Sequence, residues 1–579
     1  MLGITNSKKV PGHDAYLIQS ETMKKYIIVA INFALLTSLS FGQTPTENNY
    51  AALFCKVWGF LKYHHPSIAS GNVNWDSIFV AKVKIISGSK NKIELNNQLN
   101  TIIDDAGSVA IMNRTPTKDS LFTWNSKDSI LWIEQSDLFV SEVKAKLKNI
   151  YHNKHQGLNK YIKIVHNTAD YSGENKYANI GFPTEEYRLL FLSRFWNIVN
   201  YYAPYKYLID DDWNNVLIRF IPKFITVKDS VSYYKILLEL AKSIQDGHCQ
   251  LNKSSQTFEM NDLVFGKYTV PFYCAILNDT VIVRNLANDS LNKKAGIEIG
   301  DIILKADNIP VQKLIQEKRK YISASNKPAE AHHLSWCILD GQTPEVTLTV
   351  KRGNRIFTTS LQRTPSAKRN WGKLVNYTAN DVGYRSLGDS TLLIYAMQIW
   401  NGNLDTLKAL IRKSKAVIFD VRNYPQNDAF YYIVDPFLSE PRVINYITEP
   451  IADIPGIFKW IQSPKIGQVN TSPFIGKVVI LADERTQSQG EYSCMVLQTI
   501  PGAITIGRQT AGADGIVTYI PMGGNLALSY SGYGVFYPDK GQTQRTGIRI
   551  DITVPRTTEF IRANRDETLE RALKYLKKG

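Results

Sequence analysis

Cysteine is scarce in this chain of 579 residues: there are five, at positions 55, 249, 274, 337 and 494, an odd number with no C-x-x-C spacing. Such a set frames neither a disulfide scaffold nor a zinc site. Histidine brings no metal signature, because His64-His65, His152-x-x-His155 and His332-His333 lack a further ligand at useful spacing. After the first 42 residues, no apolar run approaches the roughly 20 residues that cross a bilayer. There is no nucleic-acid-binding motif. The net charge of +16 comes from Lys and Arg spread along the chain, as on a solvated basic surface. What remains, 44% hydrophobic and 21% charged, is ordinary for a folded, water-soluble protein of several domains. Neither a metal nor an organic cofactor is implied.

The N-terminus has the three parts of a secretory signal: basic Met23-Lys24-Lys25, an apolar run from Tyr26 to Leu39, and small residues up to Gly42. Residues 23–42 are therefore expected to be a signal peptide, residues 1–22 an upstream extension, and the mature protein exported to the periplasm or beyond. Two later segments repeat each other. Trp58, Tyr63, Pro66 and Trp75 recur as Trp196, Tyr201, Pro204 and Trp213, all offset by 138 residues. Helical periodicity runs up to each proline, and a second helix starts near the Asn or Asp before each second Trp. Helical stretches follow at Leu95–Asp105 and Ser230–Gln245. Residues 43–180 and 181–255 are thus expected to be duplicated helical subdomains, of which only the second ends in Asp246-Gly247-His248.

Between 262 and 365, short strand-like runs (Tyr268–Ala275, Thr280–Val283, Glu345–Val350, Arg355–Leu361) flank KKAGIEIGDIILKADNIPV. Ala295-Gly296 followed by Gly300-Asp301 and an alternating strand resembles a PDZ domain. Such a domain captures extended peptides at a sheet edge, which implies substrate contacts at Tyr268, Val270 and Phe272. From 376 to 579 the pattern becomes strand–helix alternation. Ala416–Val421, Lys477–Ala482 and Ala503–Gly507 read as buried strands and Arg565–Lys578 as a helix, giving an α/β core with an antiparallel extension.

Ser488 follows one of those strands and opens a helix. Ser488-Gln-Gly-Glu491 has the spacing of a capping box, a purely structural reading. As a nucleophile this serine needs a base. A helix N-terminus is worth about 2 kcal/mol at best, roughly 1.5 pKa units, far too little to ionise an alcohol near neutrality. Histidine is the usual base, which makes Asp246-Gly247-His248 the partner of interest, although histidine also suits a helix C-terminus for structural reasons. Cys249 as nucleophile is the less favoured alternative to a buried thiol.

Read in order, these pieces resemble the carboxyl-terminal processing and tricorn-core serine peptidases over roughly residues 185–579. The pieces are DGH, the AG…GD unit, Asp420-Val-Arg422, Thr486-Gln-Ser488-Gln-Gly-Glu491, Gly507-Arg-Gln-Thr510-Ala-Gly512 and Gly547-Ile-Arg-Ile-Asp551. The resemblance implies a crotonase/ClpP-like α/β core with Ser488 as acyl-forming nucleophile and His248 as general base. It implies an oxyanion hole from Gln489 and the loop at Asn423 and Tyr424, acting on extended or unfolded polypeptides and their C-terminal tails. The chain also departs from the pattern. Gly512-Ala513-Asp514 stands where one branch has its lysine, and Gly247 where the other has a serine. Gln544 stands where that branch has a glutamate, and NYPQND replaces the glycines after D-x-R. For the third catalytic group, Gln544, Asp514 and Asp246 remain open. The alternative function is a catalytically inactive peptide-binding protein on the same scaffold. Acyl-CoA chemistry on a related core lacks a visible nucleotide site.

Overall fold

The two tryptophan-marked repeats fold alike. In the computed structural model, which describes residues 45–111, 121–123, 128–252, 255–369, 383–425 and 428–577, the first repeat comprises α1 (Pro45–His64), α2 (Trp75–Ser87) and α3 (Lys92–Asp105). The second comprises α4 (Glu185–Tyr202), α5 (Trp213–Thr226) and α6 (Ser230–Ser243). The signal-peptide and upstream-extension expectations fall outside the described residues. α1 and α4 stop just before Pro66 and Pro204, while Asn74 and Asp212 cap α2 and α5 through their side chains. In each copy the two indoles clasp reciprocally. Trp58 Nε1 donates to Trp75 O (3.0 Å) and Trp75 Nε1 to Trp58 O (2.9 Å); Trp196 and Trp213 do the same at 2.7 and 3.0 Å.

α1 and α4 cross where equivalent positions meet each other. Tyr63 packs edge-on against Tyr201 at 5.8 Å, and Ser193 Oγ donates to Cys55 O (3.3 Å). A Cβ on Gly59 would fall 1.9 Å from Asn197 Cγ, so this position must be glycine. These pairs are related by the 138-residue offset, which is the mark of a local two-fold axis between the copies. A buried ionic network seals the junction. Lys62 bridges Asp76 (3.3 Å) and Glu174 (2.7 Å), and Arg194 bridges the same two carboxylates (2.8 and 3.1 Å). Burial works against the Asp76 carboxylate, yet Lys62 and Arg194 hold its pKa at about 2. One hydrophobic core runs through both repeats and takes in Ile520, Met522, Leu528 and Tyr530 from far down the chain.

The second unit is an antiparallel sheet with its own core. Its strands β1 (Phe272–Leu277), β2 (Thr280–Leu286), β3 (Ile302–Ala306), β4 (Glu345–Arg352) and β5 (Arg355–Gln362) lie in the order β5-β4-β3-β2-β1, with helix α7 (Lys327–Ser335) beside β1. Here one expectation needs correcting. Val270 and Phe272 are buried in this unit's own core, and both main-chain groups of Tyr268 are taken by Gly341 (3.0 Å each). The side chains of Val270 and Phe272 therefore face inward, while Tyr268 is half-buried in a separate short strand, Tyr268–Thr269.

The third layer holds a six-stranded sheet, β6 (Tyr384–Leu387), β7 (Thr391–Tyr395), β8 (Ala416–Asp420), β9 (Lys477–Ala482), β10 (Ile504–Gly507) and, after the hairpin β11 (Val517–Gly523)/β12 (Leu526–Ser531), β13 (Ile552–Thr553). The order is β6-β7-β8-β9-β10-β13, parallel except for β6. Buried side chains on both faces explain the unbroken apolar runs. Helix α8 (Gln489–Leu497) follows β9, and α9 (Thr558–Arg562) and α10 (Glu567–Lys577) end the chain. The register sets Asp420, Leu481 and Ile506 side by side, so the strands' carboxyl ends finish together. In open α/β sheets that edge is where ligands bind. No helix among the described residues is long and apolar enough to cross a membrane.

Candidate active site

Ser488 lies between β9 and α8 at that edge. Its backbone has φ 54° and ψ −124°, a region L-residues avoid, which costs about 1–3 kcal/mol and is found where a side chain must be presented. The capping-box reading fails: Ser488 Oγ caps no N–H of α8. Glu491 instead turns its buried carboxylate to the loop after β10, accepting from Thr510 Oγ1 (2.5 Å), Gly512 N (2.8 Å) and Ala513 N (2.9 Å). Burial pushes Glu491 up to about 7 despite these donors. Ala513 O in turn accepts the Ser488 N–H at 2.9 Å. Gly512 has φ 66°, and a Cβ there would meet the Arg545 backbone at 2.7 Å, so the G-x-x-T-x-G glycine is required sterically.

His248 leaves α6 through Asp246-Gly247 and is buried. Its Nδ1 lies 2.9 Å from Ser531 Oγ, at the end of β12. That hydroxyl donates to Asp246 Oδ1 (3.1 Å), while Ser531 N donates to Asp246 Oδ2 (2.7 Å) and His248 N to Asp246 Oδ1 (2.9 Å). A hydroxyl has one hydrogen, and the charge-assisted bond to carboxylate is its stronger use. The Oγ lone pair then accepts from Nδ1–H, which leaves Nε2 as the basic nitrogen. Burial lowers the imidazole below the ordinary histidine range, with Asp246 pulling the other way, so the ring is neutral at pH 7. Asp246 and Ser531 thus do the orienting. Asp246 stands two residues from His248, but Ser531 carries no sequence signal, since only the hairpin register brings it here.

The other two candidates are placed differently. Gln544 Nε2 reaches Ser325 Oγ (3.5 Å), which accepts Gly247 N–H (2.8 Å), so Gln544 supports the turn and not the imidazole. Asp514 Oδ1 accepts from its neighbour Gly515 N (2.7 Å), and its Oδ2 has no partner among the described residues. Burial, then the Glu491 carboxylate, push Asp514 well above the usual carboxylate range. Neither residue bonds to His248. Cys249 is buried, and its thiol is pushed well above the ordinary range by burial and Asp246, which removes it as a nucleophile.

Ser488 and His248 come from chain segments 240 residues apart and share one neighbourhood. Gly247 packs so that a Cβ would lie 3.1 Å from Ala513 Cβ and 3.4 Å from Gln487 Nε2, and Gln487 Nε2 donates to Gly247 O (3.4 Å). No hydrogen bond joins Ser488 Oγ to His248 among the described residues. On the opposite side, Thr486 Oγ1 donates to Val421 O (3.1 Å), and Pro425 lies 3.8 Å from where a Cβ of Gly490 would stand. That holds the loop with half-buried Asn423 and exposed Tyr424 against the start of α8. The main-chain N–H groups of Gln489, Asn423 and Tyr424 have no acceptor among the described residues.

Residues 392–554, the β7–β13 core that holds Ser488, match peptidase family S41. The chain is similar in fold to mature CPAF complexed with lactacystin (14% identity, 68% of this chain and 98% of that one, TM-score 0.50). Matches also extend to the photosystem II D1 C-terminal processing protease (15% identity, 65% and 96%, TM-score 0.38) and the tricorn protease (14%, 68% and 36%, TM-score 0.34). No curated protein matches. The family match covers the Ser488-bearing core, residues 392–554, and supports a serine-type peptidase.

Proposed function

We propose that the chain is an exported processing peptidase that cleaves extended or unfolded polypeptides through a Ser488 acyl-enzyme. Ser488 Oγ attacks the scissile carbonyl carbon as its proton passes to His248 Nε2. The oxyanion is met by N–H groups of Gln489 and of the Asn423–Tyr424 loop. The imidazolium then protonates the leaving amine, and a water activated by the same nitrogen hydrolyses the ester. The sheet unit is read as a PDZ-like module on a crotonase/ClpP-like core. It holds the polypeptide by main-chain pairing along the free edge of β1, which begins at Phe272, beside α7; the Val270 and Phe272 side chains are buried and the Tyr268 main chain is already paired.

One observation carries the reading: the Asp246–Ser531–His248 chain, which leaves Nε2 as the basic nitrogen, while Ser488 holds a strained backbone at the sheet's carboxyl edge. The test is a fluorophosphonate probe on the protein from Gln43 onward. Labelling of wild type, lost in Ser488→Ala and at least 100-fold slower in His248→Ala, is the expected result. A folded wild type that stays unlabelled, with or without added peptide, would instead favour a peptide-binding protein on the same scaffold.

A further inference from the structure

The sheet unit meets the core at an apolar contact, where Ala275 and Ile282 pack on Ile561 of α9. Beside it lies a polar cavity of about 40 Å³, room for about three waters. Six arginines line it, Arg284 from β2 and Arg422, Arg485, Arg508, Arg556 and Arg565 from the core, against two carboxylates, Asp566 and Glu567. Three more carboxylates stand behind this wall and are already engaged. Arg422 holds Asp420 (2.6 Å) and Asp566 (2.7 Å), and Arg485 holds Asp483 (2.9 Å). Arg508 holds Asp483 and Glu484 (3.0 Å each), Arg556 holds Glu484 (2.5 Å), and Arg565 turns outward to Glu570. Arg284 is different: among the described residues its guanidinium has neither an ion pair nor a hydrogen bond.

Burial disfavours that charge, and the nearby guanidiniums of Arg556 and Arg485 disfavour it further, while the more weakly acting Asp483 and Glu484 pull the other way. Lysine or histidine would respond by losing a proton, but arginine does not. The remedy left to it is a counter-ion, and every carboxylate in reach is spent on another arginine. We propose that the cavity binds a small inorganic oxyanion, phosphate or sulfate, held by Arg284 from the sheet unit and by Arg485 and Arg556 from the core. Guanidinium forks match the edges of such an ion, and the space suits four oxygens better than the end of a polypeptide. Because Arg485 stands three residues before Ser488, the bound ion would fasten the sheet unit to the segment that carries the nucleophile. The site is independent of whether Ser488 is catalytically competent.

Thermal unfolding of the protein from Gln43 onward, titrated with sulfate or phosphate against chloride at matched ionic strength, tests this. The expected result is a saturable rise in Tm with one site by calorimetric titration, absent in Arg284→Gln, and a smaller response to acetate, the analogue of a chain end. Arg284→Lys keeps the charge without the fork and is expected to weaken binding about tenfold, which gives a second reading if the Gln variant does not fold. The absence of a saturable site in wild type, retention of full binding in Arg284→Gln, unchanged affinity in Arg284→Lys, or acetate binding as tightly as sulfate would each overturn the proposal.

Discussion

The two helical repeats share their tryptophan clasp, their capped second helix and a third helix of equal length, and then part company. After α3 the chain runs through Ser108-Val109-Ala110, with Ser108 and Ala110 exposed. At the same offset after α6 stand Asp246-Gly247-His248, with the carboxylate and the imidazole buried and bonded to a hairpin almost three hundred residues away. The first copy keeps the architecture and gives up the chemistry. Its contribution is to bury one flank of the second, supplying Lys62 and Asp76 to the ionic network that fixes Arg194. The copies share a framework and differ at one helix end, where only the second carries the Asp246–His248 pair.

The largest effect that separates the copies is expected at His248. His248→Ala should lower the labelling rate or kcat/KM about 10³–10⁴-fold with little change in Tm, whereas Ala110→His in the first copy should change neither. Next comes the shared network. Arg194→Met leaves Asp76 and Glu174 short of a cation and should cost about 3–5 kcal/mol in urea unfolding; a loss under 1 kcal/mol would mean the copies are not held together this way. The clasps should be equivalent to each other. Trp58→Phe and Trp196→Phe each remove one indole donor to a helix carbonyl and shrink a buried ring, so each should lose about 1–3 kcal/mol in the same assay, by similar amounts. The smallest effect is at Ser531. Ser531→Ala should slow labelling about tenfold without altering stability much, and Ser531→Thr should restore part of the rate.

The pH profile sharpens the same comparison. A general base must be neutral to act, and burial sets the His248 pKa below the ordinary 6.5. Labelling should therefore fall in acid with a midpoint below pH 6.5. A midpoint at or above 6.5 in wild type would contradict a buried, neutral imidazole.

Much of this was legible in the sequence, for identifiable reasons. The repeats showed because tryptophan is rare and four pairs kept one offset. The strands of the core showed because burial on both faces leaves an unbroken apolar run, as in Lys477–Ala482. Ser488 and His248 stood out because a strand end and a helix end have local signatures. Ser531 did not, since its place depends on how Val517 pairs with it across a hairpin. Gln544 was read by its position before Gly547-Ile-Arg-Ile-Asp551, yet its side chain turns to Ser325. The capping-box spacing at Ser488 misled for a related reason: the carboxylate of Glu491 had better donors in a loop that spacing does not reveal.

The crossing at Gly59 and Asn197 has a consequence for ancestry. On a two-fold axis, a residue faces its own counterpart, so a paired assembly of two first copies would set glycine against glycine and leave a void. Two second copies would set asparagine against asparagine in a space that admits only one side chain. The present pairing works because the halves became unequal at that spot. A lock of this kind commits each half to its sister within the same chain and discourages either half from pairing with its like in a neighbouring molecule.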